Sequence, residues 1–265
     1  MLVSVITPTL NSDKYLEETI VSVMNQSYKN IEHIIVDGGS RDNTLSIIKK
    51  FPHLKLIEGI DDGMYRAVNQ GIRASKGNII AYLNSDDIYY KNTIEIAIDY
   101  FNAHRDVDLI FGKIDIIDNK SRVVARCRFP KFNLKLFASI RTSLIPQPSS
   151  FWRRQVHDVA GYFDESLKMT GDYELFLRAS KKCKVERVNT LIAGFRVHEN
   201  SLSSKKTDLN RKELWIIRNR THVDVDRIDN NVLLFLTTLL LKLHNINYYY
   251  QKIFYLINFK ICKYK

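Results

Sequence analysis

The sequence predicts an α/β domain built on a mostly parallel sheet flanked by helices, with a helical extension at its C-terminal end. Three observations predict it. Apolar, β-compatible runs alternate with amphipathic helical patterns from Leu2 to Leu83, the signature of crossover units and a parallel sheet. Each of the first four runs breaks into polar or glycine-rich residues, and open sheets of this kind bind ligands beyond the carboxyl ends of their strands. With 265 residues, 45% of them hydrophobic, the chain can fill one large domain plus an appendage.

In order, Leu2 to Thr7 reads as a strand, and Tyr15 to Met24 as a helix with Leu16, Ile20, Val23 and Met24 on one face. Ile31 to Val36 is a second strand, and Asp42 caps a helix carrying Leu45, Ile48 and Phe51. Leu54 to Ile57 is a third strand; Met64 to Ala74 is a helix bearing Ala67, Val68, Gly71 and Ile72. After the turn residues Gly77 and Asn78, Ile79 to Asn84 is apolar enough for a strand covered on both faces. A helix follows from about Asn92. Val107 to Gly112 and Val123 to Phe129 read as strands of a smaller mixed region, with Phe132 to Ser139 and Arg153 to Ala160 as short helices. A helical pattern from Tyr173 to Ser180 and a strand from Leu191 to Val197 complete residues 1–204, divided near residue 90. Residues 205–265 form the extension.

The strand exits carry the chemistry. Asp37 ends an apolar strand and precedes Gly38 and Gly39, which permit close backbone approach to a ligand. Its carboxylate could accept from an imide N–H or a ribose hydroxyl; alternatively, Asp37 and Ser40 shape the turn before the next helix. The fourth exit delivers Asp86 and Asp87 side by side. Adjacent carboxylates repel and are costly to desolvate unless neutralised. A hard divalent cation shared with a phosphate would do this; the alternative is a solvated turn.

Composition excludes several classes. The charge of +11 and pI of about 9.4 permit anionic partners without choosing among them. No zinc-finger spacing or other nucleic-acid motif is present, so no specific nucleic-acid partner is expected. Three dispersed cysteines make neither a disulfide framework nor a cysteine metal site. The start of the chain shows no secretory leader, and the apolar run Val232 to Leu241 is too short to span a bilayer. A cytoplasmic setting is therefore expected. A sugar-phosphate nucleotidyltransferase would place a glycine-rich basic loop after the first strand, where Pro8-Thr9-Leu10-Asn11-Ser12 stands.

Four segments together carry a resemblance: Val5 to Asn11, Ile35 to Thr44, Asn69 to Ile72 with Gly77, and Leu83 to Asp87. In order, spacing and residue type they resemble the nucleotide-sugar half of family 2 glycosyltransferases, the large inverting family with the GT-A fold. The likeness continues more loosely through Gln147, Gly161 to Glu165, Thr170 to Arg178, and Phe195 to His198.

That resemblance implies a nucleoside diphosphate sugar donor, uridine-based, and a saccharide or lipid-linked acceptor in surface-polysaccharide or glycolipid assembly. It implies that Thr7, Pro8, Thr9, Asn11, Gly39, Ser40, Asn84 and Ser85 line the donor site, with Asp37 at the base and Asp61 holding the nucleoside. It implies Mn²⁺ or Mg²⁺ on the diphosphate, bound by Asp87 and approached by His198, with Asp86 at the ribose or the metal's water shell. Asn84 stands where the family's metal motif often has its first acid. The base that deprotonates the acceptor would be Asp172, with Glu174 as the competitor. Residues 91–204, Gln147 among them, would build the acceptor side.

The extension holds +7 of the total charge and interleaves lysines with Leu233, Phe235, Tyr249 and Phe254. Basic, aromatic-rich amphipathic helices suit an anionic membrane surface, which residues 230–265 would then contact peripherally. The alternative is packing on the domain or a homodimer interface.

Overall fold

The computed structural model describes residues 1–59, 63–139, 143–199, 201 and 207–221, and its architecture grows outward from β1 (Val3–Thr9), buried along its whole length. Helix α1 (Leu16–Met24) leads to β2 (Ile31–Asp37), α2 (Thr44–Ile48) to β3 (Lys55–Glu58), and α3 (Met64–Ala74) to β4 (Ile79–Tyr82). Strand β1 pairs in parallel with β2 on one side and β4 on the other, and β2 pairs in parallel with β3. The chain therefore reverses its direction of travel across the sheet at β1, the switch point where ligands bind in open α/β sheets.

The second half adds β5 (Ile88–Tyr89), α4 (Thr93–Ala103), β6 (Leu109–Ile117), β7 (Val123–Cys127) and α5 (Leu134–Ser139). A 3₁₀ turn (Gln147–Ser149), β8 (Ser150–Arg153), α6 (Val156–Ala160), α7 (Gly171–Ala179), β9 (Val185–Arg196) and α8 (Thr207–Thr221) follow. The sheet runs β3-β2-β1-β4-β8-β6-β9-β5, with β7 paired to β6. It is parallel from β3 to β4 and mixed beyond, because β8 is antiparallel to both β4 and β6 while β9 is parallel to β6.

Strand β4 shows why the sheet is covered on both faces. Ile80 and Tyr82 enter one core with Ile6, Val68, Trp152 and Phe176, whereas Ile79 and Ala81 enter the other with Val5, Ile94, Phe101 and Phe151. A third cluster under α1 and α2 gathers Leu16, Ile20, Ile35 and Ile47. Helix α3 lies directly on β1 because Gly71 has no side chain: a Cβ there would sit 2.5 Å from a methyl carbon of Ile6.

Several expectations are corrected. The helix expected from Arg153 begins at Val156, and Ser150–Arg153 is instead a strand at the centre of the sheet. Phe151 and Trp152 are both buried there on opposite faces, and four residues are too few for periodicity to reveal. Asp42 does not occupy the cap of α2; Asn43 does, and the Asp42 carboxylate accepts from the Thr44 amide at 3.0 Å. Beyond residue 204, Ile217 of α8 packs in the core cluster that holds Phe176 and Leu177 of α7, and Glu213 is buried. No helix among the described residues is long and apolar enough to cross a membrane. The proposed membrane or dimer segment, 230–265, lies outside the described residues.

Candidate active site

A cleft of about 900 Å³ opens at the carboxyl ends of β1 and β4. Its walls come from residues 8–15 at and beyond the end of β1, Gly38 after β2, the start of α3, residues 84–86 after β4, residues 143–148, and the segments that carry Asp172 and His198.

The β4 exit is a β-turn. The Asp87 amide donates to the Asn84 carbonyl at 3.2 Å, so Asn84 and Asp87 form its corners while Ser85 and Asp86 stand at its tip. The corner side chains turn to each other, Asn84 Nδ2 donating to Asp87 Oδ2 at 3.2 Å. Asp87 Oδ1 accepts from the Arg196 amide at 2.8 Å. Asp87 is fully buried, and burial followed by the Asp86 charge pushes its carboxyl well above the ordinary range. Asp87, the expected metal ligand, is thus held inside the turn and does not line the cleft. Its neighbour faces the cleft instead: Asp86 Oδ2 lies 2.9 Å from His198 Nε2, and both line the cavity.

Arg196, which the sequence analysis gives no role, holds this turn in place. Its guanidinium is buried and donates to the Asp86 carbonyl at 2.7 Å, the Asp118 carbonyl at 3.0 Å and Glu18 at 2.7 Å. It also lies over the Tyr15 ring, 4.6 Å from its centroid, and the same ring tilts against His198 at 4.9 Å. A buried arginine at a strand end is invisible to composition, because its partners come from three segments far apart in sequence.

The first two exits are stapled together. Asn11, in the left-handed region at φ 49°, donates through its amide to Ser40 Oγ at 2.9 Å, while Asn11 Oδ1 accepts from the Arg41 amide at 2.9 Å. Asp37 accepts from the Gly39 and Ser40 amides at 3.0 and 2.8 Å, and from the Thr9 and Ser40 hydroxyls at 2.9 and 2.5 Å. These four donors fill the four acceptor positions a carboxylate offers. Asp37 therefore organises the turn, and an imide N–H would reach it only by displacing a hydroxyl. Pro8, Thr9 and Asn11 line the cleft; Gly38 does so in place of Gly39. Thr7 is corrected: it is buried beside His33 Nε2 at 3.0 Å and does not reach the cavity. Asp61 lies outside the described residues.

Gln147 lines the cavity between the two halves, accepting from Asn84 Nδ2 at 2.9 Å and donating to the Tyr82 carbonyl. Among the described residues no group of three or more His, Cys, Asp or Glu side chains converges to hold a metal. Mg²⁺ and Mn²⁺, however, need only one or two protein ligands where substrate phosphates and water supply the rest. The Asp86 and His198 pair fits that requirement.

Asp172 stands in the first turn of α7 and lines the same cavity. Burial raises its pKa to about 6, against the lowering effect of nearby backbone amides and of the Tyr65 hydroxyl, which donates to it at 3.4 Å. A carboxylate so placed is a stronger base than an ordinary aspartate and remains ionised at neutral pH. Glu174 is engaged elsewhere: Arg178 donates to its two oxygens at 2.8 and 2.6 Å, and it does not line the cavity. Tyr65 is buried, stacked on Phe163 with centroids 5.4 Å apart, and Asn69 ties that aromatic to α3 through the Phe163 amide and carbonyl.

Gly171 makes this packing possible, since a Cβ would meet three ring carbons of Tyr65 at 2.7 to 2.8 Å. Gly171→Ala is expected to cost about 1–3 kcal/mol of stability by overpacking, with a fall in turnover as Asp172 is displaced. Denaturant titration and steady-state kinetics check this; wild-type stability and turnover together would refute the contact.

The model for the family described as Glycosyl transferase family 2 matches residues 4–159. A glycosyltransferase of Rickettsia conorii, described as uncharacterised, is 30% identical over 89% of this chain and 41% of its own length. The chondroitin synthase of Pasteurella multocida is 23% identical over 86% of this chain and 24% of its own. The chain thus spans well under half of each of these relatives. Among solved structures, S. aureus TarS 1-349 in complex with UDP-GlcNAc superposes with a TM-score of 0.67 at 22% identity, covering 86% of this chain and 69% of the TarS 1-349 chain. The mannosyltransferase PcManGT from Pyrobaculum calidifontis, in complex with GDP-Man and Mn²⁺, gives 0.61 at 17%, covering 82% and 62%. The fold is that of the GT-A glycosyltransferases.

Proposed function

The chain belongs to glycosyl transferase family 2, and from that premise we propose that it moves a sugar from a uridine diphosphate sugar to an acceptor hydroxyl with inversion, in polysaccharide or glycolipid assembly. One observation carries this reading: a single cleft is lined both by the Asp86 and His198 pair at the switch point and by Asp172, a carboxyl raised to about 6. The UDP-GlcNAc bound by TarS supports a uridine donor, and the chondroitin synthase supports a polysaccharide product.

In this reading Pro8, Thr9, Asn11 and Gly38 receive the nucleoside, over a turn that Asp37 and Ser40 keep rigid. Asp86 and His198 would hold a divalent cation, as the Mn²⁺ complex of the mannosyltransferase supports. The cation, when bound, neutralises charge developing on the departing diphosphate. Asp172 takes the proton of the acceptor hydroxyl as that oxygen bonds to the anomeric carbon and the bond from that carbon to the diphosphate oxygen breaks. Attack from the face opposite the leaving group inverts the centre.

Thermal unfolding with UDP, UDP-sugars and GDP-sugars, each with Mn²⁺, Mg²⁺ or chelator, tests the donor half. A ligand at 100 times its Kd should add about 2.7 kcal/mol. Stabilisation by a UDP-sugar that chelator removes is the expected result. Indifference to every nucleoside diphosphate sugar would overturn the reading, and product anomeric configuration by NMR decides inversion.

A further inference from the structure

Glu213 lies on α8, outside every segment that resembles a glycosyltransferase motif, yet its carboxylate is buried and fully engaged. Oε1 accepts from the Lys168 amide at 2.8 Å. Oε2 accepts from the Met169 and Thr170 amides, each at 3.0 Å, and from the Thr170 hydroxyl at 2.8 Å. All four donors belong to the three residues before Gly171 and Asp172. An α-helix leaves its first amides without partners, and Thr170, the N-cap of α7, makes no side-chain cap bond of its own. Glu213 supplies an acceptor from another helix at that point, and a negative charge at a helix N-terminus is favourable.

We propose that Glu213 is a positioning residue for the reaction: anchored on α8, it fixes residues 168–170 and so sets the position of Asp172 in the cleft. This rests on the reading of Asp172 as the base. Lys168 and Met169, whose amides Glu213 holds, also line the cleft, so the same carboxylate shapes the floor on which the acceptor would rest. Glu213 has an electrostatic effect as well. Burial is the main cause of the raised Asp172 pKa, and the Glu213 charge adds to it. Among the described residues, the other charged or titratable groups around Asp172 are Tyr65 from α3, which donates to it, Tyr82 from β4, whose hydroxyl is pushed up by burial and then by the Asp172 charge, and Lys168, Asp86 and His198 on the cavity wall. Helix α8 is thereby part of the active-site scaffold.

The test is kinetic, on the full chain, with UDP-sugar as donor. Glu213→Gln removes the charge and weakens the set of acceptors. Turnover should fall about tenfold or more, as small displacements of reacting groups do, with donor KM within about twofold. The acid limb of the kcat/KM profile should move to lower pH, since removing a negative neighbour lowers the pKa of Asp172. Glu213→Asp keeps the charge and should restore the acid limb while recovering only part of kcat. A Glu213→Gln variant that melts earlier but keeps wild-type kcat and acid limb below its Tm would reduce Glu213 to ordinary packing and overturn the proposal. Should Glu213→Gln fail to fold, Thr170→Val removes one of the four bonds and leaves the charge. Lower kcat at an unmoved acid limb then supports the proposal, and unchanged kcat overturns it. Wild-type turnover in Asp172→Asn would instead sink the assignment of the base itself.

Discussion

Asp172→Asn is expected to lower kcat by about 10²-fold or more while donor affinity stays near that of the wild type. Asparagine matches aspartate in size and can still accept from the amides that open α7 and from Tyr65, but it cannot take a proton. The loss should therefore appear in turnover. The structure separates this carboxylate from its competitor on the same helix, because both Glu174 oxygens are held by Arg178 and Glu174 is absent from the cleft wall. If Asp172→Asn turns over normally and Glu174→Gln does not, the base is Glu174.

The same substitution carries a stability signature of opposite sign. The folded pKa of Asp172, about 6, lies above the ordinary 3.8, so between these values the folded state binds more protons than the unfolded chain. Stability then falls as pH rises through that window. Asp172→Asn has no charge to bury and should melt later than the wild type above pH 6, with the difference vanishing below pH 4. Activity runs the other way, with the acid limb of wild-type kcat/KM near pH 6. Gain of stability with loss of turnover would identify a group whose burial is retained for chemistry.

Much of this was legible in the chain because its N-terminal half obeys local rules. The continuous apolar run of β4, the glycines after Asp37 and the amphipathic face of α3 each reflect a few adjacent residues, and they mark the strands and helices from β1 to β4 along the chain. What was hidden depends on long-range contacts. Strand β8 has four residues, and its central position is decided by partners in β4 and β6. Glu213 is one acid in a basic tail, and its role emerges only when the amides of residues 168–170 meet it. Thr7 illustrates an error of depth: it lies inside β1 beside His33, while Pro8 and Thr9 at the strand's end reach the cleft.

The Asp86 and Asp87 pair shows the limit most sharply, and the last prediction turns on it. Sequence marks two adjacent carboxylates but not which one faces the cleft; the β-turn decides, by bonding its corner residues to each other and presenting Ser85 and Asp86. Asp86→Ala is therefore expected to abolish the metal dependence of nucleotide-sugar affinity, leaving the same weak binding with Mn²⁺ or chelator, at nearly unchanged Tm. Its side chain is partly exposed and, among the described residues, its charge pairs across the cleft wall with His198. Asp87→Ala should do the converse in kind. It strips acceptors from the Arg196 amide and Asn84, and each buried donor left unsatisfied costs about 1–3 kcal/mol. Its first effect is thus a large drop in Tm, and any donor affinity lost should recover when the fold is held at low temperature. Calorimetric titration of UDP with and without Mn²⁺, run on both variants below their melting points, separates the two. If Asp86→Ala keeps a metal-dependent affinity and Asp87→Ala loses it while folded, then the buried carboxylate is the ligand and the turn must open to bind.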